Sequence, residues 1–502
     1  MVKIEDNSIV DIIDVEPRHL KEIKSILARN LPYKKVWAYG SRVKWNANER
    51  SDLDLVAFDI TDFQLSNIKD IFDESSVPFI VQILKWESIP DDFKENIKQK
   101  YFVLQKEDDW GEFRLGDVGE IVTGNTPSKN HPEDWGDEMP FITPSDYSNY
   151  KKKAFSSIRK LSANGINRLK NKILPKDSIM VTCIGSDMAK VAMSTQSVIT
   201  NQQINSIIPN KNIVNKNFLY YQLVNLHDTL RSYGMDGTAV PILNKTDFSG
   251  ISVSFPLLPE QKAIADILSS LDDKIDLLNR QNKTLENLAE TLFRHYFIEE
   301  AEDSWEEKPL SDLVKVIDNR GKTPPNQSGK TPYPVIEVNG LGDRLVNYSV
   351  VRKYVDEETF KNWFRNSPKK YDTLISTVGS IGSTSMFVIT RGNIAQNVIA
   401  LQAIQLSPFY LYQILKYKKK KILSLDIGGV QPSIKVPHLL EIYIPIPPKE
   451  KIQFFDIQIT HFVNKMEKNY LQIQTLEKLR DTLLPKLMNG EVQIKYDKNS
   501  IN

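Results

Sequence analysis

The chain contains a long internal duplication. A block that opens at Trp110 recurs at Trp305, 195 residues later, and the copies stay aligned toward the C-terminus, where Leu285 corresponds to Leu476 at an offset of 191. Because the offset changes so little, the copies differ only by a few net loop deletions. A domain with a trailing helix has therefore been duplicated, and the protein presents two similar but unequal surfaces. Such a pair suits the recognition of two different parts of one extended partner.

Length and composition limit the possible classes. A chain of 502 residues holds three or more domains, since single hydrophobic cores stop growing near ~250–300 residues. The one cysteine, Cys183, excludes an intrachain disulfide and lies in an apolar strand pattern, which predicts a buried side chain rather than a nucleophile. Six scattered histidines offer no zinc-type cluster. No apolar run approaches the ~18 residues of a membrane span, so we expect a cytoplasmic protein without a membrane partner.

The pattern along the chain predicts five segments. Residues 1–107 precede the repeat and alternate helical and strand patterns, which indicates a small α/β domain. The first part of each repeat is rich in Gly, Pro, Asn and Ser with short β-branched runs, which favours mixed α+β or mostly β structure. The predicted boundaries are 1–107, 108–258 and 301–447 for the globular domains, with long helices at 259–300 and 448–492.

The two trailing segments carry coiled-coil periodicity. Apolar residues recur every seven positions from Ile264 and again from Leu268, over five heptads, and the same series follow in the second copy from Phe455 and Ile459. Single polar residues interrupt the series at Asn282 and Asn469, where they would fix the register. Two separate amphipathic helices are the alternative. A helix of ~37 residues spans roughly 55 Å, longer than one such domain, so we favour an antiparallel pair.

Basic residues concentrate at matching places in both copies, although the net charge is only +1. The stretch between Asp146 and Asp177 contains no acidic residue, and neither does the stretch from Thr359 to Tyr371. Recurring basic patches are typical of proteins that neutralise a phosphate backbone. The predicted DNA contacts are Lys151, Lys152, Lys153, Arg159, Lys160, Arg168 and Lys170 in the first copy, and Arg344, Lys361, Arg365, Lys369 and Lys370 in the second.

Residues with paired donors and acceptors are candidates for reading bases. They are Ser145, Asp146 and Asn149 in the first copy, Asn339 and Arg344 in the second, and the amide pairs Gln202-Gln203 and Gln396-Asn397 at an offset of 194. A structural turn, or hydrogen bonding to the backbone, is the alternative role for each of them.

From Trp110 to Val492 the chain resembles a specificity subunit of a type I restriction-modification system. The resemblance rests on two domains that each open with Trp-x-x-x-x-Leu, on the helix entry Leu258–Ala265, and on the segments Leu285–Phe297 and Leu476–Gly490. It implies that each domain binds one half of a split double-stranded DNA target while the helices set the spacer and dock two methyltransferase subunits. Restriction subunits would complete the complex. The family's S-adenosylmethionine, ATP and Mg would act in those partners, so this subunit would not itself be an enzyme.

The N-terminal segment resembles a minimal nucleotidyltransferase. Gly40-Ser41-Arg42 is followed by Asp52 and Asp54, two carboxylates on one face of a predicted strand. A Gly-Ser turn suits a triphosphate, and the carboxylates suit Mg. The resemblance therefore suggests nucleotide binding at Gly40, Ser41 and Arg42, with metal binding or catalysis by Asp52 and Asp54. The family's third carboxylate is replaced by Gln82, which favours a degenerate nucleotide-binding or regulatory domain.

The complete prediction is an α+β multidomain protein. Two target-recognition domains are separated by two long antiparallel coiled-coil helices and preceded by a small α/β nucleotidyltransferase-like domain. The alternative function is an enzyme in which Asp52 and Asp54 transfer a nucleotide while the repeats deliver the substrate. A third possibility makes the N-terminal domain one half of a toxin–antitoxin pair.

Overall fold

The computed structural model describes residues 9–48, 50–107, 109–234, 241–321, 324–325, 329–342, 344–388 and 391–494. Residues 1–8 of the predicted N-terminal domain, and residue 108 at the predicted start of the first recognition domain, lie outside the described residues. The chain divides into two compact units: one holds the residues up to Asp272 together with those from Leu479 onward, and the other holds Asp273–Lys478.

The N-terminal domain is a four-stranded sheet with helices packed against it. Its elements are α1 (Pro17–Asn30), β1 (Val36–Tyr39), α2 (Ser41–Lys44), β2 (Leu53–Ala57), α3 (Asp62–Asp73), β3 (Val81–Lys85), α4 (Asp91–Gln99) and β4 (Phe102–Gln105). The strand order is β3-β2-β1-β4, and only β2 and β3 run parallel. Strand β4 was not predicted. It completes the sheet beside β1 and buries Phe102 and Leu104 in the core.

The first copy is built from three small sheets that share buried helices. Its strands are β5 (Gly111–Arg114), β6 (Gly119–Thr123), β7 (Trp135–Gly136), β8 (Met139–Ile142), β9 (Lys153–Ala154), β10 (Arg159–Leu161), β11 (Ile179–Thr182), β12 (Val191–Ser194), β13 (Ile199–Thr200), β14 (Ile204–Pro209) and β15 (Ser252–Phe255). Its helices are α5 (Ala163–Arg168), α6 (Lys216–Asn225), α7 (His227–Gly234) and α8 (Lys245–Gly250), followed by the long α9 (Leu258–Arg294). The strand orders are β13-β8-β10-β7, β6-β14-β11-β12-β9 and β15-β5.

Over its described residues, the second copy repeats this plan with fewer strands. Its strands are β16 (Glu307–Pro309), β17 (Val314–Asp318), β18 (Tyr333–Ile336), β19 (Lys353–Val355), β20 (Thr373–Ser376), β21 (Thr384–Met386), β22 (Asn393–Ile394), β23 (Val398–Ala403) and β24 (Tyr443–Pro445). Its helices are α10 (Leu310–Leu313), α11 (Glu357–Asn362), α12 (Pro408–Tyr417), α13 (Lys419–Leu423) and α14 (Val436–Leu440), followed by α15 (Lys449–Met488). The strand orders are β17-β23-β20-β21, β19-β18-β22 and β16-β24, which match the three sheets of the first copy.

The long helices α9 and α15 run antiparallel wherever they touch within a unit. In the second unit Phe293 packs near Phe455, while Asn282 is bonded to Asn469. In the first unit Asp272 meets Arg480. All heptad positions of both helices are buried or half-buried, as the predicted seven-residue periodicity requires. In the described part of the chain, no helix combines the length and apolar character that a membrane crossing needs.

The N-terminal domain is packed against the first copy within the same compact unit. The hydroxyl of Tyr33 donates to the carbonyl oxygens of Phe255 and Pro256, at 2.9 and 3.0 Å, just before α9 begins. Its ring also packs on Phe113 of β5. A side chain at Gly111 would collide with Pro32, so the close approach of these two segments requires glycine there.

Candidate nucleic-acid interface and nucleotide site

In each copy, two neighbouring parallel strands end at the same end of a sheet, and each is followed by a polar loop. Strand β13 runs parallel to β8, and β22 runs parallel to β18. The loops that follow are joined at their bases, because Asn201 N donates to Ile142 O at 3.0 Å and Ala395 N donates to Ile336 O at 2.9 Å. Loops 143–149 and 201–203 therefore lie side by side in the first copy, and loops 337–340 and 395–397 do so in the second. Carboxyl ends of parallel strands are frequent ligand sites.

The loops of the second copy line a cavity of about 240 Å³ that is open on one side to solvent. Its lining residues are Pro324, Val335, Glu337, Val338, Asn339, Lys353, Ala395, Gln396 and Asn397. The carboxylate of Glu337 and the ammonium of Lys353 form an ion pair at 2.8 Å, so this cation is already neutralised. The three amides bring paired donors and acceptors to one place, which is the chemistry that recognises base edges. The structure thus brings together Asn339 and the Gln396-Asn397 pair.

The equivalent residues of the first copy have more varied roles. Ser145 and Asn149 are exposed, whereas Gln202 accepts a hydrogen bond from Thr126 at 2.7 Å. Asp146 is 1% exposed, and its carboxylate accepts from the backbone N–H groups of Thr143 and Ile158, both at 2.8 Å. Those bonds stabilise the loop. Asp146 therefore has the structural role, hydrogen bonding to the backbone, that was the alternative to reading a base.

The predicted basic residues of the first copy differ in their exposure and in the partners that they contact. Lys151, Lys153, Lys160 and Lys170 are exposed. Arg159 is exposed as well, and its guanidinium lies 4.6 Å from the ring centroid of Trp135. Arg168 is held differently, since its guanidinium forms ion pairs of 2.9 and 2.8 Å with Glu133 and Asp134.

Lys152 faces the long helix α9. Its ammonium donates to Ser269 Oγ at 2.9 Å and to the Tyr221 hydroxyl at 3.3 Å. The Tyr221 hydroxyl in turn donates to Asp272 Oδ2 at 2.6 Å, and Asp272 Oδ1 accepts from Arg480 Nη1 at 2.9 Å. Burial and the nearby Asp272 carboxylate raise the pKa of Tyr221 well above its usual range. Lys152 therefore attaches the recognition domain to α9. Its place in a lysine run did not indicate this role.

Arg344, in the second copy, is also held against α9. The side chain is 3% exposed, and its Nη2 donates to the carbonyl oxygen of Glu286 at 3.5 Å, with the guanidinium 5.3 Å from the Tyr412 ring centroid. Burial lowers the pKa of Arg344. Tyr412 corresponds to Tyr221 at the helix offset of 191, so both copies place a cation over the same tyrosine. Neither base reading nor phosphate contact is open to a guanidinium buried in this way.

The other predicted basic residues of the second copy are exposed, with two of them in ion pairs. Lys370 pairs with Glu467 of α15 at 2.9 Å, and Lys361 pairs with Glu357 at 2.7 Å. Arg365 and Lys369 are exposed. The second copy contains one more group of lysines, at position 416 and at positions 418–421. Lys416 bonds to Glu286 and Glu290 of α9, while Lys419, Lys420 and Lys421 are exposed.

The two carboxylates of the N-terminal domain lie close to each other on strand β2 and just before it. Asp54 belongs to β2, and Asp52 directly precedes the strand. Asp54 is paired in register with Gln82 on the parallel strand β3, and Gln82 Nε2 donates to Asp52 Oδ2 at 2.5 Å. Burial, and then the Asp52 carboxylate, raise the pKa of Asp54. Gly40 has a φ of +82°, and a Cβ at this position would collide with Asp54 Oδ2, so only glycine lets the turn approach the carboxylate.

The Arg42 side chain is directed to backbone carbonyl groups and not to the carboxylates of Asp52 and Asp54. It is 7% exposed, its Nη1 donates to Asp14 O, and its Nε and Nη2 donate to Ser51 O. The guanidinium also stacks 3.9 Å from the Phe79 ring centroid. These bonds hold the loop between α2 and β2, which leaves Gly40 and Ser41 as the candidates for nucleotide contacts.

The donor set does not fit the pair of Mg ions that the nucleotidyltransferase fold implies. Asp52 and Asp54 are hard oxygen ligands of the type Mg prefers. Gln82 brings a neutral amide to the third position, however, and that amide is bonded to Asp52. Among the residues that the structure describes, no group of three or more His, Cys, Asp or Glu side chains could hold a metal ion.

Comparison with known proteins identifies the class to which the chain belongs. The family model described as the type I restriction modification DNA specificity domain matches residues 107–287 and, separately, residues 302–480. Together the matches cover more than half of the chain, and the chain belongs to this family. The predicted resemblance and the α+β fold class with two duplicated recognition domains are confirmed, as is the prediction of a DNA-specificity subunit.

Similar proteins fall into two groups. The MjaIX type I restriction enzyme specificity subunit of Methanocaldococcus jannaschii is 27% identical over 414 residues, covering 77% of this chain and 94% of that protein. The crystal structure of the type I restriction-modification S subunit from M. genitalium is 17% identical, with a TM-score of 0.49, and covers 76% of this chain and 97% of that one. A probable protein adenylyltransferase, MntA of Haemophilus influenzae, is 37% identical over 99 residues, which are 19% of this chain and 87% of that protein. The N-terminal domain is accordingly nucleotidyltransferase-like.

Proposed function

We propose that this chain is the DNA-specificity subunit of a type I restriction-modification complex. Each recognition domain reads one half of a split double-stranded target, and the long helices set the spacer and dock two methyltransferase subunits. Restriction subunits complete the assembly. The observation that carries the proposal is the duplication itself: the family model matches the two copies separately, and each copy brings two polar loops together at the ends of parallel strands.

The cofactors of the complex belong to its other subunits in this proposal. S-adenosylmethionine would serve the methyltransferase subunits, and ATP with Mg would serve the restriction subunits. The present chain directs these activities by positioning the DNA. We expect exposed lysines such as Lys160 and Lys369 to contact phosphates and the strand-end amides to contact bases.

The test is a map of N6-methyladenine across a host genome after co-expression with the neighbouring methyltransferase subunit. A single split motif, with two short half-sites and a fixed gap, is expected. Gln202→Ala and Gln396→Ala form a matched pair, because these residues are equivalent at an offset of 194. Each should relax one half-site and leave the other unchanged. Absence of any new methylated motif from a demonstrably assembled complex would refute the proposal.

A second candidate function is nucleotide transfer by the N-terminal domain. It is supported by the likeness to the MntA protein and by the pair Asp52 and Asp54 on one strand edge. The amide of Gln82 argues against it. The experiment is incorporation of radiolabel from each of the four nucleoside triphosphates into protein or nucleic acid. Incorporation that Asp52→Ala abolishes would establish the activity, and no incorporation from any triphosphate would exclude it.

A further inference from the structure

Arg159 occupies the same place in the first copy as Lys353 occupies in the second. Arg159 of β10 is paired in register with Phe141 of β8, and Lys353 of β19 is paired with Val335 of β18. Both pairs are related by an offset of 194. The neighbouring parallel strands agree, because β13 joins β8 at Phe141 and β22 joins β18 at Val335. The duplication therefore allows a direct comparison of the two cations.

In the second copy the cation at this place is neutralised. Lys353 lines the cavity of that copy, and its ammonium forms an ion pair of 2.8 Å with the Glu337 carboxylate. At the offset of 194, Glu337 corresponds to Thr143, which carries no charge. The first copy therefore lacks the acid that neutralises the cation of the second copy.

Asp146, the acid of the neighbouring loop, does not replace it. The Asp146 side chain is 1% exposed, and its Oδ2 accepts from the backbone N–H and the hydroxyl of Thr143, both at 2.8 Å. Its Oδ1 accepts from the backbone N–H of Ile158 at 2.8 Å. Among the residues that the structure describes, no carboxylate forms an ion pair with Arg159. The donors of its guanidinium are therefore available to a ligand.

Two aromatic rings support the Arg159 guanidinium. It lies 4.6 Å from the ring centroid of Trp135 and 5.3 Å from that of Phe141. The side chain is nevertheless exposed. In the second copy Val335 takes the place of Phe141 and offers no ring. A guanidinium that is held on aromatic faces loses less conformational entropy when it binds a planar ligand, and its N–H groups stay accessible at the edge.

Arg159 also lies beside a polar loop to which the proposed function assigns base contacts. Its register partner Phe141 comes two residues before loop 143–149, and the preceding residue, Ile158, is bonded to Asp146 of that loop. A planar guanidinium presents paired N–H donors, which match the O6 and N7 acceptors of guanine in the major groove. Adenine, cytosine and thymine do not offer two acceptors in this arrangement.

We propose that Arg159 is a specificity-determining residue of the first recognition domain, where it reads a guanine through paired hydrogen bonds to O6 and N7. Trp135 is its positioning residue. The inference rests on the proposed function and deepens it, because it names one base and the side chain that reads it. The second copy has no equivalent reader, since Lys353 is neutralised by Glu337. The two half-sites are therefore read by different chemistry.

The test compares Arg159→Lys with the original chain. Lysine keeps the positive charge but loses the paired donors. The full-length chain is co-expressed with the methyltransferase subunit, and methyladenine is mapped. We expect one guanine to become degenerate, in the half-site that Gln202→Ala also relaxes, with the other half-site unchanged. In binding to duplexes that differ only at this position, discrimination should fall by about ten- to a hundredfold.

A second measurement uses the original complex and modified DNA. 7-Deazaguanine, which lacks the N7 acceptor, replaces each guanine of the mapped motif in turn. The original complex should lose affinity at the guanine that Arg159→Lys relaxes, and the Arg159→Ala complex should lose nothing further there. If neither variant assembles, this measurement decides, and a first half-site without any guanine sensitive to the replacement overturns the inference.

Lys160 provides the control for charge, because adjacent residues of a strand point to opposite faces and Lys160 is exposed. Lys160→Ala should weaken binding to all duplexes alike and relax no position. Trp135→Leu should relax the same guanine with the salt dependence unchanged, while Trp135→Phe keeps a ring and retains the preference.

Uniform weakening by Arg159→Lys would assign Arg159 to a phosphate and overturn the inference. An unchanged motif in the assembled Arg159→Lys complex, or relaxation at a base other than guanine, would overturn it as well. In these cases the split motif of the original chain still supports the proposed function. Absence of a split motif from the original complex would refute both.

Discussion

At the scale of single residues, Lys152 and Lys160 show how one basic run is divided between two tasks. Both lie in the acid-free stretch that predicted DNA binding. Lys152 is half-buried and donates to Ser269 of α9, whereas Lys160 is exposed on strand β10. Charge patterning identifies a basic stretch, but it does not distinguish a lysine that faces a helix from one that faces solvent.

The two lysines should therefore differ in their response to salt. Lys160→Ala is expected to reduce the slope of log affinity for DNA against log salt by about one, because one phosphate contact is lost. Lys152→Ala should leave that slope unchanged and lower the unfolding free energy by about 1 kcal/mol through the lost hydrogen bonds. Filter binding at several salt concentrations, together with thermal unfolding, measures both. Equal salt slopes for the two variants would contradict this assignment.

Asp372 gives the second copy a pH-dependent stability. The side chain is 5% exposed, and burial raises the pKa of Asp372 from 3.8 to about 6, against the opposing effect of the hydrogen bond from the Lys369 N–H. The folded state therefore binds the proton more tightly than the unfolded state. Ionisation of Asp372 therefore lowers the free energy of unfolding. This loss is absent below the unfolded pKa near 4, grows between about pH 4 and pH 6, and is complete above about pH 6.

Asp372→Asn should remove this cost and keep an acceptor for the Lys369 N–H. We expect the variant to be more stable than the original chain at pH 8, by up to about 2 kcal/mol, and to lose the difference near pH 4. Chemical unfolding followed across this pH range tests the expectation. A destabilisation of equal size at both ends of the range would show that the carboxylate itself is needed.

At the scale of elements, the β5–β15 and β16–β24 ladders explain why the first copy alone carries an extra domain. Strand β5 presents Gly111 and Phe113 to Pro32 and Tyr33. At the offset of 195 the second copy has Glu306 and Lys308, whose side chains approach each other at 3.4 Å. The two positions that contact Pro32 and Tyr33 are therefore glycine and phenylalanine in the first copy, and the equivalent positions are charged in the second copy.

Phe113→Lys, which installs the residue of the second copy, should weaken the attachment of the N-terminal domain. The lysine would remove the ring contact with Tyr33 and bring an ammonium group to an apolar contact. Hydrogen exchange is expected to rise in α1 and around Tyr33, with the β11–β14 core of the first copy unaffected. Lys315→Ala on the second copy serves as a surface control. Unaltered protection from hydrogen exchange around Tyr33 would show that the other contacts are sufficient to hold the N-terminal domain in place.

At the scale of the whole molecule, the family match begins at residue 107, so the N-terminal domain is an addition to the matched region. Removal of residues 1–107 should leave the methylated motif unchanged if the repeats alone read DNA. Because the deletion uncovers Phe113, it is best combined with Phe113→Lys. Methyladenine mapping of the truncated complex measures the outcome. Loss of one half-site, with the complex still assembled, would assign the N-terminal domain a part in recognition.

Sequence reasoning succeeded where a pattern repeats and failed where a contact joins distant segments. Five heptads predicted both helices, because an apolar residue at every seventh position gives an α-helix one continuous apolar face. The residue partners were not predictable in the same way. Arg480 occupies one of the seven-residue positions of α15, but its partner Asp272 lies outside both seven-residue series of α9, so no periodicity indicated this pair. Similarly, nothing in the lysine run separated Lys152 from its exposed neighbours.

The sequence by itself determined the duplication, the helix periodicity, the carboxylate pair of the N-terminal domain and the missing third carboxylate at Gln82, because each of these is a relation between residues at fixed spacing. Tertiary structure alone decided which cations remain exposed, that Arg42 and Arg344 are buried, and that Asn339 and Gln396 line one cavity. These facts depend on the packing of segments far apart in the chain, and local spacing carries no information about that packing.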